Sequence, residues 1–153
     1  MTDRPRQDLT ARAFTLSQRM FVLYPKLAAV SGAHAHIAKQ LFNATTAIGA
    51  LIEEGVVANS RRDMAAKYAI ALREAGEANY WARLAASDPA WTNAMAPIIQ
   101  ETKEFVAMLT VSVRKLRSPV GDLDKGKGQR AEGKGKSQGK GNQKDPDGEG
   151  PLP

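Results

Sequence analysis

The chain has 153 residues, 42% of them hydrophobic, 6% aromatic and 25% charged, with 22 Lys plus Arg against 16 Asp plus Glu and no cysteine. That is the length of one domain with an ordinary apolar share. The lack of cysteine excludes disulfides and thiolate metal sites, and no run approaches the ~18 uninterrupted apolar residues of a membrane span.

The opening MTDRPRQDLT has no apolar run behind its basic residues and does not read as a secretory signal, so the cytoplasm is the expected compartment. Alanine stands in for the scarce aromatics, and it is the strongest helix former.

Four segments carry helical periodicity. In the first, from about Leu9 to Ala28, Leu9, Ala13, Leu16, Met20, Leu23 and Leu27 recur at alternating steps of four and three. This is the spacing of a bundle seam. Pro25 is expected to kink or stop that helix, leaving a short extra turn, and Ser31-Gly32 reads as the break.

The second segment, from about Ala33 to Ala58, continues the alternation through Ile37, Leu41, Ala44, Ile48 and Leu51. Gly49 costs about 1 kcal/mol against alanine in mid-helix, a penalty tolerated where a neighbouring backbone must come close. Gly55 and Asn59 mark the exit.

The third segment opens on a capping box, Ser60-Arg61-Arg62-Asp63, in which the Ser60 hydroxyl serves the Asp63 amide. Met64, Tyr68, Ala71, Ala75, Ala78, Ala82 and Ala85 follow at heptad steps, a small-residue stripe that permits close packing. Ile70, Trp81 and Leu84 fall off that stripe, so this helix is apolar on more than one side.

Asp88 and Pro89 read as the cap and first residue of the fourth helix. Its seam is Trp91, Met95, Ile98, Thr102, Phe105, Leu109, Ser112 and Leu116, with a second line at Ile99, Val106 and Val113. Arg114, Lys115 and Arg117 fill the last turn, where cations suit the helix dipole. No strand signal competes with these helices. Short connections make consecutive helices antiparallel. The expected architecture is an all-α, antiparallel up-down four-helix bundle over residues 1–117.

From Ser118 the composition changes, and KGKGQRAEGKGKSQGKGNQK offers almost nothing apolar to bury. Residues 118–153 are expected to form a disordered Lys/Gly-rich tail. The net charge is +6. Residues 1–117 hold 15 basic and 10 acidic side chains, so the excess is not confined to the tail.

Enzyme signatures are missing. His34 and His36 form an HxH near a helix start, without the i,i+4 spacing or the further ligands of a helical metal site, and read as surface histidines. Glu53, Glu54, Glu74 and Glu77 are not joined by the Glu-x-x-His pairs of di-iron bundles. An ion pair with Arg61, Arg62 or Arg73 is the expected use of those acids. No GxxxxGK[ST], GxGxxG or GxSxG occurs. The expectation is no catalysis, no cofactor and no metal.

A basic body with a cationic arm attracts polyanions. In the body the cations of interest are Arg61, Arg62, Lys67, Arg73 and Arg83, with Arg62, Arg73 and Arg83 near one helix face. In the tail they are Lys125, Lys127, Arg130, Lys134, Lys136, Lys140 and Lys144, expected to hold phosphates loosely, salt-sensitively and without regard to sequence.

Residues 43–84 carry Thr45-Thr46-Ala47-Ile48-Gly49, the pair Glu53-Glu54, the helix start Ser60-Arg61-Arg62-Asp63, the run Ile70 to Glu74, and Tyr80-Trp81. In order and spacing this resembles the four-helix-bundle family named for proteins encoded in large-subunit rRNA intervening sequences. Leu51 and Asn79 depart from the family pattern, which puts a polar role for those two positions in doubt.

The resemblance implies a non-enzymatic bundle that assembles into ring-like homopentamers. It also implies kinship with a branch serving diversity-generating retroelements, in which a basic ring binds a reverse transcriptase and nucleic acid. The expected function is therefore a homo-oligomeric scaffold for RNA or DNA. The alternative is a protein–protein interaction scaffold with no nucleic-acid role.

Overall fold

The computed structural model describes residues 4–119. Four helices occupy them: α1 (Arg4–Ala28), α2 (Gly32–Val56), α3 (Arg61–Ala85) and α4 (Thr92–Arg117). A helix of that size is about 37 Å long. Links of a few residues cannot carry the chain back along such a length, so consecutive helices pack side by side and antiparallel. The closest approaches are α1 with α2, α2 with α3 and α3 with α4.

Two serines set helix starts. Ser31 lies in extended conformation and its hydroxyl accepts the His34 amide at 3.3 Å, so the expected break is the N-cap of α2. Ser60 is likewise extended and accepts the Asp63 amide at 3.1 Å, as the capping box requires.

The α1 helix begins earlier than its apolar pattern, because Pro5 falls in the first turn, where its missing N–H has no helical partner to lose. It also runs through Pro25, and the turn beyond closes by the Ala29 amide on the Pro25 carbonyl at 3.2 Å.

The start of α4 corrects the sequence reading. The helix opens at Thr92 with Trp91 as its cap residue. Asp88 instead builds the preceding turn, accepting the Ala90 amide on its side chain and the Trp91 amide on its carbonyl, both at 2.9 Å.

The core joins Leu16, Met20 and Leu27 of α1, Leu41, Ile48 and Ile52 of α2, and Met95, Ile98, Phe105 and Leu109 of α4. The alanine stripe of α3 is buried throughout, from Ala71 to Ala85, with Met64 and Tyr68 at its head. Small side chains there let α2 and α4 close in on α3. Buried Thr45 and Thr102 return their hydroxyls to the carbonyls of Leu41 and Ile98, at 2.8 and 2.9 Å, and so carry no unsatisfied donor.

At Gly49 a Cβ would stand 3.3 Å from Ser17 Oγ and 3.7 Å from the Ala13 carbonyl oxygen. The glycine thus marks the expected close approach, with α1 as the neighbour.

Asn79 corrects the doubt about its polar role. Its amide donates to Thr102 Oγ1 at 2.9 Å and to the Ile99 carbonyl at 3.1 Å, tying α3 to α4. Leu51 packs against the core as an apolar residue. No helix among the described residues is long and apolar enough to cross a membrane. The tail expectation lies, beyond Pro119, outside the described residues.

Candidate nucleic-acid interface

Antiparallel packing brings the start of α3 and the end of α4 to the same end of the bundle. Arg61 and Arg62 open α3, and Arg114, Lys115 and Arg117 close α4. Arg61 Nη2 donates to the Lys115 carbonyl at 2.8 Å, satisfying one of the carbonyls that a helix end leaves open. The contact holds the two basic segments against each other.

Two hollows flank this junction. One, of about 520 Å³, is lined by Arg61, Arg62, Ala65, Ala66, Leu116 and Arg117. The other, of about 560 Å³, is lined by Leu72, Thr110, Val113, Arg114, Arg117, Ser118 and Pro119. Arg117 borders both.

The five cations stand exposed, and no ion pair among the described residues involves any of them. A helix dipole supplies only about half a charge at each end, so neutralising the C-terminus of α4 does not account for five cations. The positive dipole end at the first turn of α3 is offset by the negative end of α4 beside it, so the potential here comes from the side chains. Asp63, the acid in that turn, is the only one. Arginine forks over shallow, open hollows suit phosphate oxygens.

The sequence-expected cations divide here. Arg61 and Arg62 are at the junction. Arg73 and Arg83 are exposed further along α3. Lys67 faces α2 and pairs with Glu54. That pair corrects the expected ion pairing, because Glu54 sits across from Lys67 rather than from Arg61, Arg62 or Arg73. Glu77 accepts the Trp81 indole N–H at 3.2 Å. The Glu74 carboxyl is pushed above its usual range by burial and then by Glu77, with Arg73 opposing.

Lys125, Lys127, Arg130, Lys134, Lys136, Lys140 and Lys144 lie outside the described residues. Sequence reading missed Arg114, Lys115 and Arg117 as site residues, since it assigned them to the dipole of their own helix. The up-down topology was the signal that places them beside Arg61.

The two histidines are engaged by neighbouring side chains. His34 is not a free surface histidine. Its Nδ1 lies 2.8 Å from Ser31 Oγ and its Nε2 lies 3.0 Å from Asp88 Oδ2, joining the start of α2 to the α3–α4 turn. His36 meets the Trp81 ring edge to face at 5.6 Å. No group of three or more His, Asp or Glu among the described residues is placed to hold a metal.

The model of a family described as 23S rRNA-intervening sequence protein matches residues 6–111. A solved structure from Bacteroides thetaiotaomicron, described as a protein of unknown function from the S23 ribosomal protein family, is 26% identical with a TM-score of 0.63. The match covers 71% of this chain and 97% of that one. No curated protein matches the chain. Neither description names a catalytic activity.

Proposed function

The chain belongs to the 23S rRNA-intervening sequence protein family, and we propose that within it the protein is a non-catalytic, homo-oligomeric scaffold that binds nucleic acid through its phosphates. The observation that carries this reading is the junction of Arg61, Arg62, Arg114, Lys115 and Arg117 around two open hollows, free of carboxylate partners among the described residues. A surface of this kind recognises the backbone and not the bases, so binding is sequence-blind and falls steeply with salt.

Self-association is supported by apolar side chains that the bundle leaves outside. Phe14, Phe21 and Val22 of α1 are 59%, 70% and 58% exposed. Repetition of the basic junction around a closed ring multiplies its potential. The pentamer, and a reverse transcriptase as the enzyme served, rest on the resemblance of residues 43–84.

The test is filter binding of full-length protein to RNA and DNA across a salt series, with light scattering after size exclusion on the same preparation. Affinity that declines log-linearly with salt, on a particle of several protomers, is the expected result. A monomer would remove the scaffold ring. Binding that is absent at low salt, or indifferent to salt, would remove the phosphate reading and leave a protein-interaction scaffold.

A further inference from the structure

The basic junction does not account for the outward stripe of α3. At 100° per residue, Arg62, Arg73 and Tyr80 fall within about 20° of one line along the helix. Arg62 and Arg73 are exposed, and Tyr80 is 52% exposed. Between them the stripe is low: Ala66 is small and exposed, and nothing lies within 4 Å of where a Gly76 side chain would begin.

Tyr80 does not stand there as a loose aromatic. Its ring meets Trp81 at 5.0 Å and 78°, and Trp81 is itself fixed by His36 at 5.6 Å and 77° and by the Glu77 carboxylate on its indole N–H. The half-buried Trp81 therefore braces a Tyr80 ring that keeps half its surface in water. A braced, exposed ring is pre-organised to receive another flat π-system, because little side-chain entropy remains to be lost on stacking.

We infer that the outward stripe of α3 is a track for single-stranded nucleic acid, with phosphates at Arg62 and Arg73 and an unpaired base stacked on Tyr80. The inference rests on the proposed nucleic-acid reading and adds the strand state of the ligand. Bases in a duplex are stacked and hidden, whereas an unpaired base offers the free face that an aromatic platform binds. From Arg62 to Tyr80 the track measures about 27 Å, enough to span several nucleotides of an extended strand. Ala66, between the two cationic holds, and Gly76, between Arg73 and Tyr80, are low enough to let the backbone lie against the helix. A second copy of this chain would have to bury Arg62 and Arg73, two exposed cations, along the length of the stripe, at a desolvation cost that a phosphate strand offsets with its own charge.

The experiment compares a short unstructured RNA with a blunt duplex of the same sequence, at one low salt concentration. Both are titrated against full-length wild type, Tyr80→Ala and Tyr80→Phe. Wild type is expected to prefer the single strand. Tyr80→Ala should lose about 5- to 150-fold for the single strand while its duplex affinity stays unchanged, and Tyr80→Phe should retain the preference.

Wild-type binding to both RNAs with no single-strand loss in Tyr80→Ala overturns the track and leaves the phosphate reading standing. Equal losses for both RNAs also overturn it, because the ring is then not contacting unpaired bases. A change of particle mass in Tyr80→Ala overturns it in favour of a contact between copies. Wild type that binds neither RNA defeats the underlying reading as well.

Discussion

Arg12 and Glu101 meet fork to fork across the bundle, Nε to Oε1 at 2.9 Å and Nη2 to Oε2 at 3.0 Å. The same guanidinium reaches Glu104, touches Met108 Sδ at 3.5 Å and lies 5.8 Å from the centre of the Phe105 ring. α1 and α4 are not consecutive in the chain, and hollows of about 300 and 550 Å³ run along the seam between them. Apolar burial alone does not seal that seam, so the charged clasp closes it.

Arg12→Ala is therefore expected to lower stability by about 1–2 kcal/mol, the range for hydrogen bonds to charged groups reduced for a partly exposed pair. Arg12→Lys should recover only part of this, because an ammonium cannot hold Glu101 at both oxygens. Urea unfolding checks both, with a lower midpoint and an unchanged slope expected.

The clasp also has a pH signature. The Glu104 carboxyl is held below its usual range, first by Gln100 and then by Arg12. Its folded pKa lies below its unfolded one, so its contribution is present above the ordinary carboxylate range and is lost as pH falls through the lowered value. Between about pH 5 and pH 3, wild type should lose more stability than Arg12→Ala. Equal losses would show that Arg12 does not hold Glu104.

Two helix glycines should respond oppositely to alanine. At Gly55 a Cβ would lie 2.5 and 2.7 Å from Cε1 and Cδ1 of Tyr68, a ring only 2% exposed that has nowhere to retreat. Gly55→Ala should destabilise by about 1–3 kcal/mol, the range for overpacking. At Gly76 the space is open, so Gly76→Ala should stabilise by about 0.5–1 kcal/mol. Thermal melts of the two variants should move in opposite directions.

Asn79→Asp tests the α3–α4 tie. The amide nitrogen that donates to Thr102 and to the Ile99 carbonyl would be replaced by an oxygen facing that carbonyl. A loss of about 1–3 kcal/mol is expected, as for a buried acceptor deprived of its donor. An unchanged melting temperature would show that the tie contributes nothing.

Much of the fold was legible because the apolar residues keep helical steps and because Ser60 and the α3 alanines have one structural use each. The misses have physical causes. A straight helix drifts about 20° per heptad against a seven-residue repeat. By the ends of α2 and α4 the buried positions have therefore passed from Leu51 to Ile52 and from Ser112 to Val113. Asp88 carries the chemistry of a cap, but tertiary packing gives its carboxylate to His34 and the Ala90 amide. Gly55 reads as a helix exit, and α2 does end at Val56, but it is also the seat of the Tyr68 ring, a contact between helices that no local pattern encodes. The basic junction was half legible. Arg61 and Arg62 stand out in the sequence, while Arg114, Lys115 and Arg117 acquire their role only when the bundle folds back on itself.

That division yields the sharpest functional prediction. Lys67 and Arg117 each carry one positive charge, but Lys67 is matched by Glu54 while Arg117 borders both hollows without an acid. Arg117→Ala should weaken RNA binding about equally for unrelated sequences and reduce the salt slope by about 1. Lys67→Ala should leave the slope near wild type, since the Lys67 ammonium is already engaged by Glu54 and borders neither hollow. Filter binding of both variants across the same salt series decides the matter. If the two behave alike, net charge alone governs binding, and the arrangement at the α3–α4 end has no special part in it.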